Sequence, residues 1–447
     1  MNQSSRTPLF ALILPGLLVA ATGVGAGDLF TASLAGSKLK LAILWAAPVG
    51  ALLKWTLNEG LARWQLATGT TLLEGWSQRL GRWVEWTFFA YLLVWSMVVG
   101  GAMITACGVA GSSFIQLGEP ATSKIIWGVI HSLAGLALVW WGGFKLFERL
   151  MAASVAVMFI CVLLTAMLLP GRDLSDTPLA GTVAPSWGEV LQGFIPGPIP
   201  KEGVGWFLGV LGGVGGTVTL LSYGYWVREA GRSGEQGIRE CRIDLAVAYA
   251  LTAFFGSAMM IIGSIAQLEG KGPETAGVLA STLHSVLGPT GQWAFLIGFW
   301  GAVFSSLLGV WQGVPYLFAD FLQIRQRYAL QRRAGEAVDG KQQAVGVDRD
   351  EVSFTRSKAY RGYLIALAIV PLPLLFRKVE HVQLLYAVLG AFFMPLLALT
   401  LLLMNNRRDW VGAHRSGWVI NTILVITLLF FGFVGVQEIA AALGLGG

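Results

Sequence analysis

The sequence predicts an all-α integral membrane protein of about eleven transmembrane helices, and three observations carry that prediction. Hydrophobic residues make up 55% of the 447 residues and charged ones only 13%. The apolar residues come in runs of the ~20 residues that a helix needs to cross a hydrocarbon core, not in the short stripes of a soluble protein. The runs are separated by short loops in which most of the Lys and Arg are gathered.

Taken in order, the spans are placed at about Phe10 to Leu34, Leu41 to Gln65, Trp86 to Cys107, Ile125 to Trp141, Leu146 to Leu169, Val204 to Val227, Ile243 to Ala266, Gly291 to Leu322, Gly362 to Phe376, Val382 to Met404 and Gly417 to Ala441. The first run follows Arg6 and imitates a secretory signal, but "LVAATGVGAGDLFTASLAG" continues as a broken span and many spans follow. Loops such as "VREAGRSGEQGIRECRID" and "NNRRDWVGAHR" are basic, which places them and the N-terminus in the cytoplasm, with the chain in the plasma (inner) membrane. The polar stretch from Gln323 to Arg361 reads as a cytoplasmic loop, and the proline-rich stretch from Pro170 to Lys201 as an external one.

Spans one and six share a feature. Each is interrupted by glycines, "GVGAGD" at Gly23 to Asp28 and "GVLGGVGGTVTLLS" at Gly209 to Ser222, and they stand five spans apart. Two inverted repeats of five helices produce that correspondence, repeat one at about 8–170 and repeat two at about 203–405, with an extra helix at 417–441, all within one transmembrane transporter domain. Unwinding a helix in lipid frees backbone N–H and C=O groups, which is tolerable only where they face protein, water or a bound solute. The other reading of such glycines is close helix packing.

Composition also excludes functions. The net charge of +6 sits in the loops, where lipid headgroups account for it, so no nucleic-acid partner is called for. Three cysteines with no CxxC or Cys/His pairing argue against a disulfide framework, zinc or haem. None of the four histidines, His131, His284, His381 and His414, lies at either break. No nucleophile–base constellation and no phosphate-binding glycine loop appears, so the chain is expected to be no enzyme and to carry no cofactor.

Over most of its length the sequence resembles the NRAMP family of divalent metal transporters, whose inverted-repeat fold is also that of the LeuT group. The resemblance is carried by "LPGLLVAATGVGAGDLFTAS", "LARWQLATGTTLLEGW", "FKLFERLMAASVAVMFICVLL", "PSWGEVLQGFIPGPIP", "RIDLAVAYAL" and "FLIGFWGAVFSSLLGVWQGVPYLFADFL". It implies a LeuT-like fold and a secondary transporter whose partners are the bilayer and a transported divalent cation. The departures fall at the chemistry. Where the family has Asp-Pro-Gly-Asn in span one, this chain has Gly25, Ala26, Gly27 and Asp28, and where the family has Met-Pro-His in span six it has Thr219, Leu220 and Leu221. Losing the thioether favours a hard ion such as Mg2+ or Mn2+ over a softer metal. The family's acidic residues of span three are missing from "LLVWSMVVGGAMIT", so proton coupling by that route is not expected.

Asp28 is the leading candidate ligand, because an ionised carboxylate at membrane depth persists mainly where it meets a cavity, an ion or a partner; the alternative is a structural partner to a buried Arg or to backbone N–H groups. The Gly25 carbonyl and the Thr219 and Ser222 hydroxyls are candidates to complete an oxygen shell, with Asp28 and Thr219 the metal ligands proper. A hydroxyl bonded to the carbonyl one turn earlier is the equal alternative for Thr and Ser. Thr22 and Gly216 match family positions that present carbonyls. Tyr223, Tyr225 and Trp226 either line the pathway or anchor a helix end. Glu59 and Arg63 are spaced as an i, i+4 ion pair, and Asp244 in "RIDL" reads as a helix cap. Two rivals remain open at this point: the same fold carrying a non-metal or organic solute, and a receptor or scaffold without transport.

Overall fold

The computed structural model describes residues 25, 27–142, 145–200, 203–213, 218–229, 231–268, 272–334 and 355–442. Among the described residues every regular element is helical. After a turn at Gly25, a π-helical turn at Gly27–Ala32 runs into α1 (Ser33–Leu39). There follow α2 (Ala46–Thr68), α3 (Arg82–Phe114), α4 (Pro120–Trp141), α5 (Lys145–Leu168), a short α6 (Trp187–Gly193), α7 (Val204–Gly213) and α8 (Ser222–Glu229). The second part holds α9 (Gly234–Ile265), α10 (Thr275–Ala334), α11 (Lys358–Ile369), α12 (Val379–Ala391), α13 (Phe393–Met404) and α14 (Trp418–Ala442).

Seven of these stretches are long and apolar enough to cross a membrane, namely α3, α4, Leu146–Leu168 in α5, α9, Gly272–Arg327, Lys358–Phe376 and Val379–Met404. The other expected spans are shorter or charged. Span six is divided into α7 and α8, span two (α2) carries Lys54, Glu59 and Arg63, and span one is described only from Gly25 onward. Large apolar side chains on the outside, such as Ile160, Leu164 and Met167 of α5, Phe254 of α9 and Leu429 of α14, face outward as a lipid-exposed surface requires.

The packing repeats when the spans are shifted by five. Spans one, two, six and seven form one bundle, through contacts of α1 with α9, α2 with α9 and α2 with α7. Spans three, four, eight and nine form a second, through α3 with α4, α3 with α10, α4 with α11 and α10 with α11. Span five (α5) packs on span eight (α10), and span ten (α12) packs on span three (α3), which is the same pairing in the other repeat. The α3–α12 contact is fixed by polar bonds: the Tyr91 hydroxyl donates to the Leu389 carbonyl at 2.9 Å and Gln383 Nε2 to the Ala102 carbonyl at 2.8 Å. This is an all-α membrane fold of the LeuT-like inverted-repeat kind.

Four boundaries differ from expectation. Span seven begins at Gly234, so Asp244 lies well inside α9 and cannot cap its start. Span eight is preceded by a helical stretch from Thr275, bent off at Gly288 (φ 71°) before Pro289, where only a glycine adopts the left-handed backbone easily. The same helix runs on to Ala334, into the stretch read as a cytoplasmic loop. The stretch 170–201, read from sequence as an external loop, contains α6, started by a capping box in which the Ser186 hydroxyl accepts from the Glu189 N–H and Glu189 accepts from the Ser186 N–H.

Glycine sets the approach of α1 to α9. A Cβ at Gly36 would overlap the Met260 carbonyl oxygen and one at Gly263 would overlap that of Ser33, so the two backbones touch where a side chain would part them. Gly263→Leu is expected to lower stability by more than the ~1–3 kcal/mol of ordinary overpacking, because backbone atoms cannot yield as side chains do. A thermal shift assay in detergent, read against Gly362→Leu at a position open to space, checks it; equal melting of the two variants would refute the packing account.

Candidate functional site

The site is built where the two interrupted spans touch. The π turn that opens the second half of span one packs against α7, α9 and α12. At its first residue, a Cβ on Gly27 would sit 2.9 Å from the Gly213 carbonyl oxygen, and one on Gly213 would sit 3.4 Å from the Gly27 carbonyl oxygen. No larger residue allows this approach, and it brings the N-terminal end of one half-helix against the C-terminal end of another. The C-terminal end of α7 carries the negative end of its dipole, whereas the first turn at Gly27 carries a positive end.

Each end holds a buried charge of the complementary sign. Asp28 lies in the first turn after Gly27 and is fully buried. Lys54, in the middle of α2 and equally buried, donates from Nζ to the Gly212 carbonyl at 2.7 Å, one residue from the end of α7. The carboxylate and the ammonium are close enough to attract each other electrostatically. Gly50 makes this reach possible. It stands one helical turn before Lys54 on the same face, and its missing side chain lets α2 approach Leu211, whose Cα would lie 3.2 Å from a Cβ at that position.

Two hydroxyls complete the polar surroundings. Thr31, one turn after Asp28, packs on Gly209 and Gly213, and Ser306 of α10 packs on Gly25. Both are buried, and neither Oγ1 of Thr31 nor Oγ of Ser306 has a hydrogen-bond partner among the described residues. Buried hydroxyls without partners are costly, and a ligand oxygen, water or ion beside them would offset that cost. Among the described residues no three His, Cys, Asp or Glu side chains converge, so a cation at this seam would be held by Asp28 with hydroxyl and carbonyl oxygens.

Of the residues singled out from sequence, Asp28 and Gly25 are at this seam. The Gly25 carbonyl accepts the Leu29 N–H at 3.0 Å, so one of its lone pairs is already used to start the half-helix. Thr22, Gly216 and the side chains of Thr219 and Trp226 lie outside the described residues. Ser222 opens α8, half-buried, and its hydroxyl lies 4.0 Å from where a Cβ on Gly313 of α10 would stand. Tyr223 is committed elsewhere: its hydroxyl donates to Asp244 Oδ2 at 2.9 Å and accepts from Arg232 at 3.3 Å. Lys54, Thr31 and Ser306 were not singled out. Lys54 had a visible signal, a single basic residue inside "APVGALLKWTL"; two hydroxyls among many had none.

Below the seam, at the basic end of the bundle, a chain of ion pairs ties spans together. Arg232 bonds Asp244 at 2.8 Å, Arg228 reaches Glu74 at 3.4 Å and the Gly69 carbonyl at 3.1 Å, and the Tyr225 hydroxyl donates to Asp320 at 2.6 Å. Glu59 pairs with Arg63 as spaced, but also with Arg242 of α9 at 2.9 Å, while Arg63 donates to the carbonyls of His414 and Arg415 at 3.1 Å each. These bonds join α2, α8, α9, α10 and the segment before α14. On the opposite end Lys38 and Glu380 approach to 3.5 Å.

With this geometry the likeness to known proteins can be judged. In the search of solved structures, a manganese transporter of Eremococcus coleocola superposes with a TM-score of 0.67 at 15% identity, over 99% of this chain and 90% of that one. The same organism's manganese transporter in complex with an aromatic bis-isothiourea substituted compound gives 0.64 at 16% identity, over 99% and 88%. MhsT in complex with L-phenylalanine gives 0.53 at 15% identity, over 96% of each chain. No curated protein sequence matches the chain. The profile of the natural resistance-associated macrophage protein-like family (Nramp) matches residues 16–441. That span is nearly the whole sequence, and the chain belongs to the Nramp family.

Proposed function

We propose that this chain is a secondary transporter that moves a divalent cation of hard character, Mg2+ or Mn2+, by alternating access at the seam between spans one and six. The observation that carries the reading is the buried Asp28 carboxylate at the meeting point of two interrupted helices, beside unpartnered hydroxyls and helix-end carbonyls. Carboxylate, hydroxyl and carbonyl oxygens are the donors that hard cations take, and among the described residues of the seam no thioether or imidazole stands beside Asp28 to favour a softer metal. The fold neighbours that carry manganese in Eremococcus coleocola support the same class of cargo. Coupling to protons through span three is set aside, since α3 has no ionisable side chain between Leu92 and Thr105.

The ion pairs at the basic end are read as the cytoplasmic gate. The ion pairs join elements within the one–two–six–seven bundle, and the Tyr225–Asp320 hydrogen bond ties that bundle to α10; in this reading the network holds the cytoplasmic end closed.

In proteoliposomes, Asp28→Asn is expected to bring Mn2+ and Mg2+ uptake down to the level of empty liposomes, because the variant loses the only charged ligand in the proposed oxygen shell. Uptake by the variant equal to that of the unaltered protein would reject the cation reading, and flux of neither ion by either protein would reject transport of these cations. The gate has its own test. Asp244→Ala leaves buried Arg232 without that carboxylate, a loss of about 3 kcal/mol, and is expected to make the buried Cys241 thiol react faster with N-ethylmaleimide. Removing both charges, as Asp244→Ala with Arg232→Met, should recover part of the stability while Cys241 stays reactive. Labelling of Cys241 at the unaltered rate in both variants would show that the network does not close the path.

A further inference from the structure

Lys54 has no role in the reading so far, and its placement is specific. Its ammonium lies at the negative end of the α7 half-helix, on the Gly212 carbonyl, and within electrostatic reach of the only carboxylate described at the seam. A cation bound there would use the same two features, an anionic side chain and a helix-end carbonyl. Gly50 fixes the approach of α2 so that the side chain delivers its charge to that spot.

We propose that the Lys54 ammonium is a tethered stand-in for the transported cation: it neutralises Asp28 and the α7 terminus while the carrier is empty, and the incoming ion must displace it. The inference rests on the cation reading above and adds a consequence to it. A buried carboxylate facing no positive charge resists passage through the closed intermediate, because an isolated ion in low dielectric is expensive. With Lys54 in place the empty carrier crosses that state neutral. Two positive groups do not share one carboxylate in such surroundings without strong repulsion, so loading and Lys54 docking exclude each other. Net transport, in which the carrier returns empty, therefore depends on Lys54, whereas exchange of one ion for another does not.

The test compares binding, net uptake and exchange in Lys54→Met, which keeps length and apolar volume and removes the charge. Calorimetry with Mn2+ on purified protein is expected to show affinity roughly tenfold or more above the unaltered protein, since the competing charge has gone. In proteoliposomes, net Mn2+ uptake into ion-free vesicles should fall severalfold, while exchange of external labelled Mn2+ against internal Mn2+ is retained. Lys54→Arg, which keeps the charge, should keep the weaker affinity and serves where the methionine variant folds poorly. Lys54→Met with unaltered affinity and an unaltered ratio of net uptake to exchange overturns the proposal. So does Lys54→Met that loses Mn2+ binding as Asp28→Asn does, because Lys54 would then support the site and not compete for it. Failure of the cation reading itself is told apart by the unaltered protein, which would then neither bind Mn2+ nor move it; in that case weaker thermal stability of both charge variants without any ion would mark Lys54 and Asp28 as a permanent structural pair, against the proposal.

Discussion

Two opposite charges submerged between two helix ends are the arrangement on which this structure turns. Neither Asp28 nor Lys54 would be stable alone at that depth, where the desolvation of a lone ion outweighs any packing gain. Each is made tolerable by the end of an interrupted helix, and those ends exist only because the backbone of span one meets that of span six at Gly27 and Gly213. The glycines, the helix interruptions and the buried charges are therefore one feature, not three. Changing any member removes the reason for the others.

The same logic explains why polar bonds are spread so unevenly. Spans three, four, eight and nine are held largely by apolar packing, with a few bonds to carbonyls such as that of Ser132 to Ala368 at 2.7 Å. The ion pairs gather on the one–two–six–seven bundle and at its basic end, where Glu59, Glu74 and Asp244 each meet an arginine from another helix or loop. Apolar contacts between helices survive small sliding movements with little change in energy. Charge pairs have two distinct states, made and broken, so these hold the helices of their bundle in one arrangement.

Much of the fold was legible because lipid imposes it. Runs of apolar residues and basic loops located the spans, and the glycines five spans apart showed the repeat, since both signals follow from satisfying the backbone in hydrocarbon. What was hidden depended on partners distant in sequence. Asp244 looks like a helix cap when "RIDL" is read locally, but basic and polar residues from Gly234 onward extend α9 beyond the hydrocarbon, and the carboxylate turns to Arg232 instead. Tyr223 looked available to a solute until its hydroxyl was found between Asp244 and Arg232. Asp28 was legible as a charge in an apolar run; Lys54 carried the same signal and gains its meaning only from Gly212, a carbonyl that no sequence pattern marks.

The position of the carboxylate follows from the same crowding. Where the family resemblance expects an aspartate, this chain has Gly25, and a Cβ there would overlap the Ser306 hydroxyl of α10, so the space for a side chain has been taken from the other bundle. Shifting the acid to position 28 moves it by about one helical turn, toward the face on which α7 ends and α2 supplies Lys54. Once there, its charge can be balanced by the Lys54 ammonium from within the protein. Gly25 and Ser306 are thus mutually dependent, since restoring an aspartate at position 25 would require a smaller residue at 306, and Asp28 and Lys54 are paired at the other face.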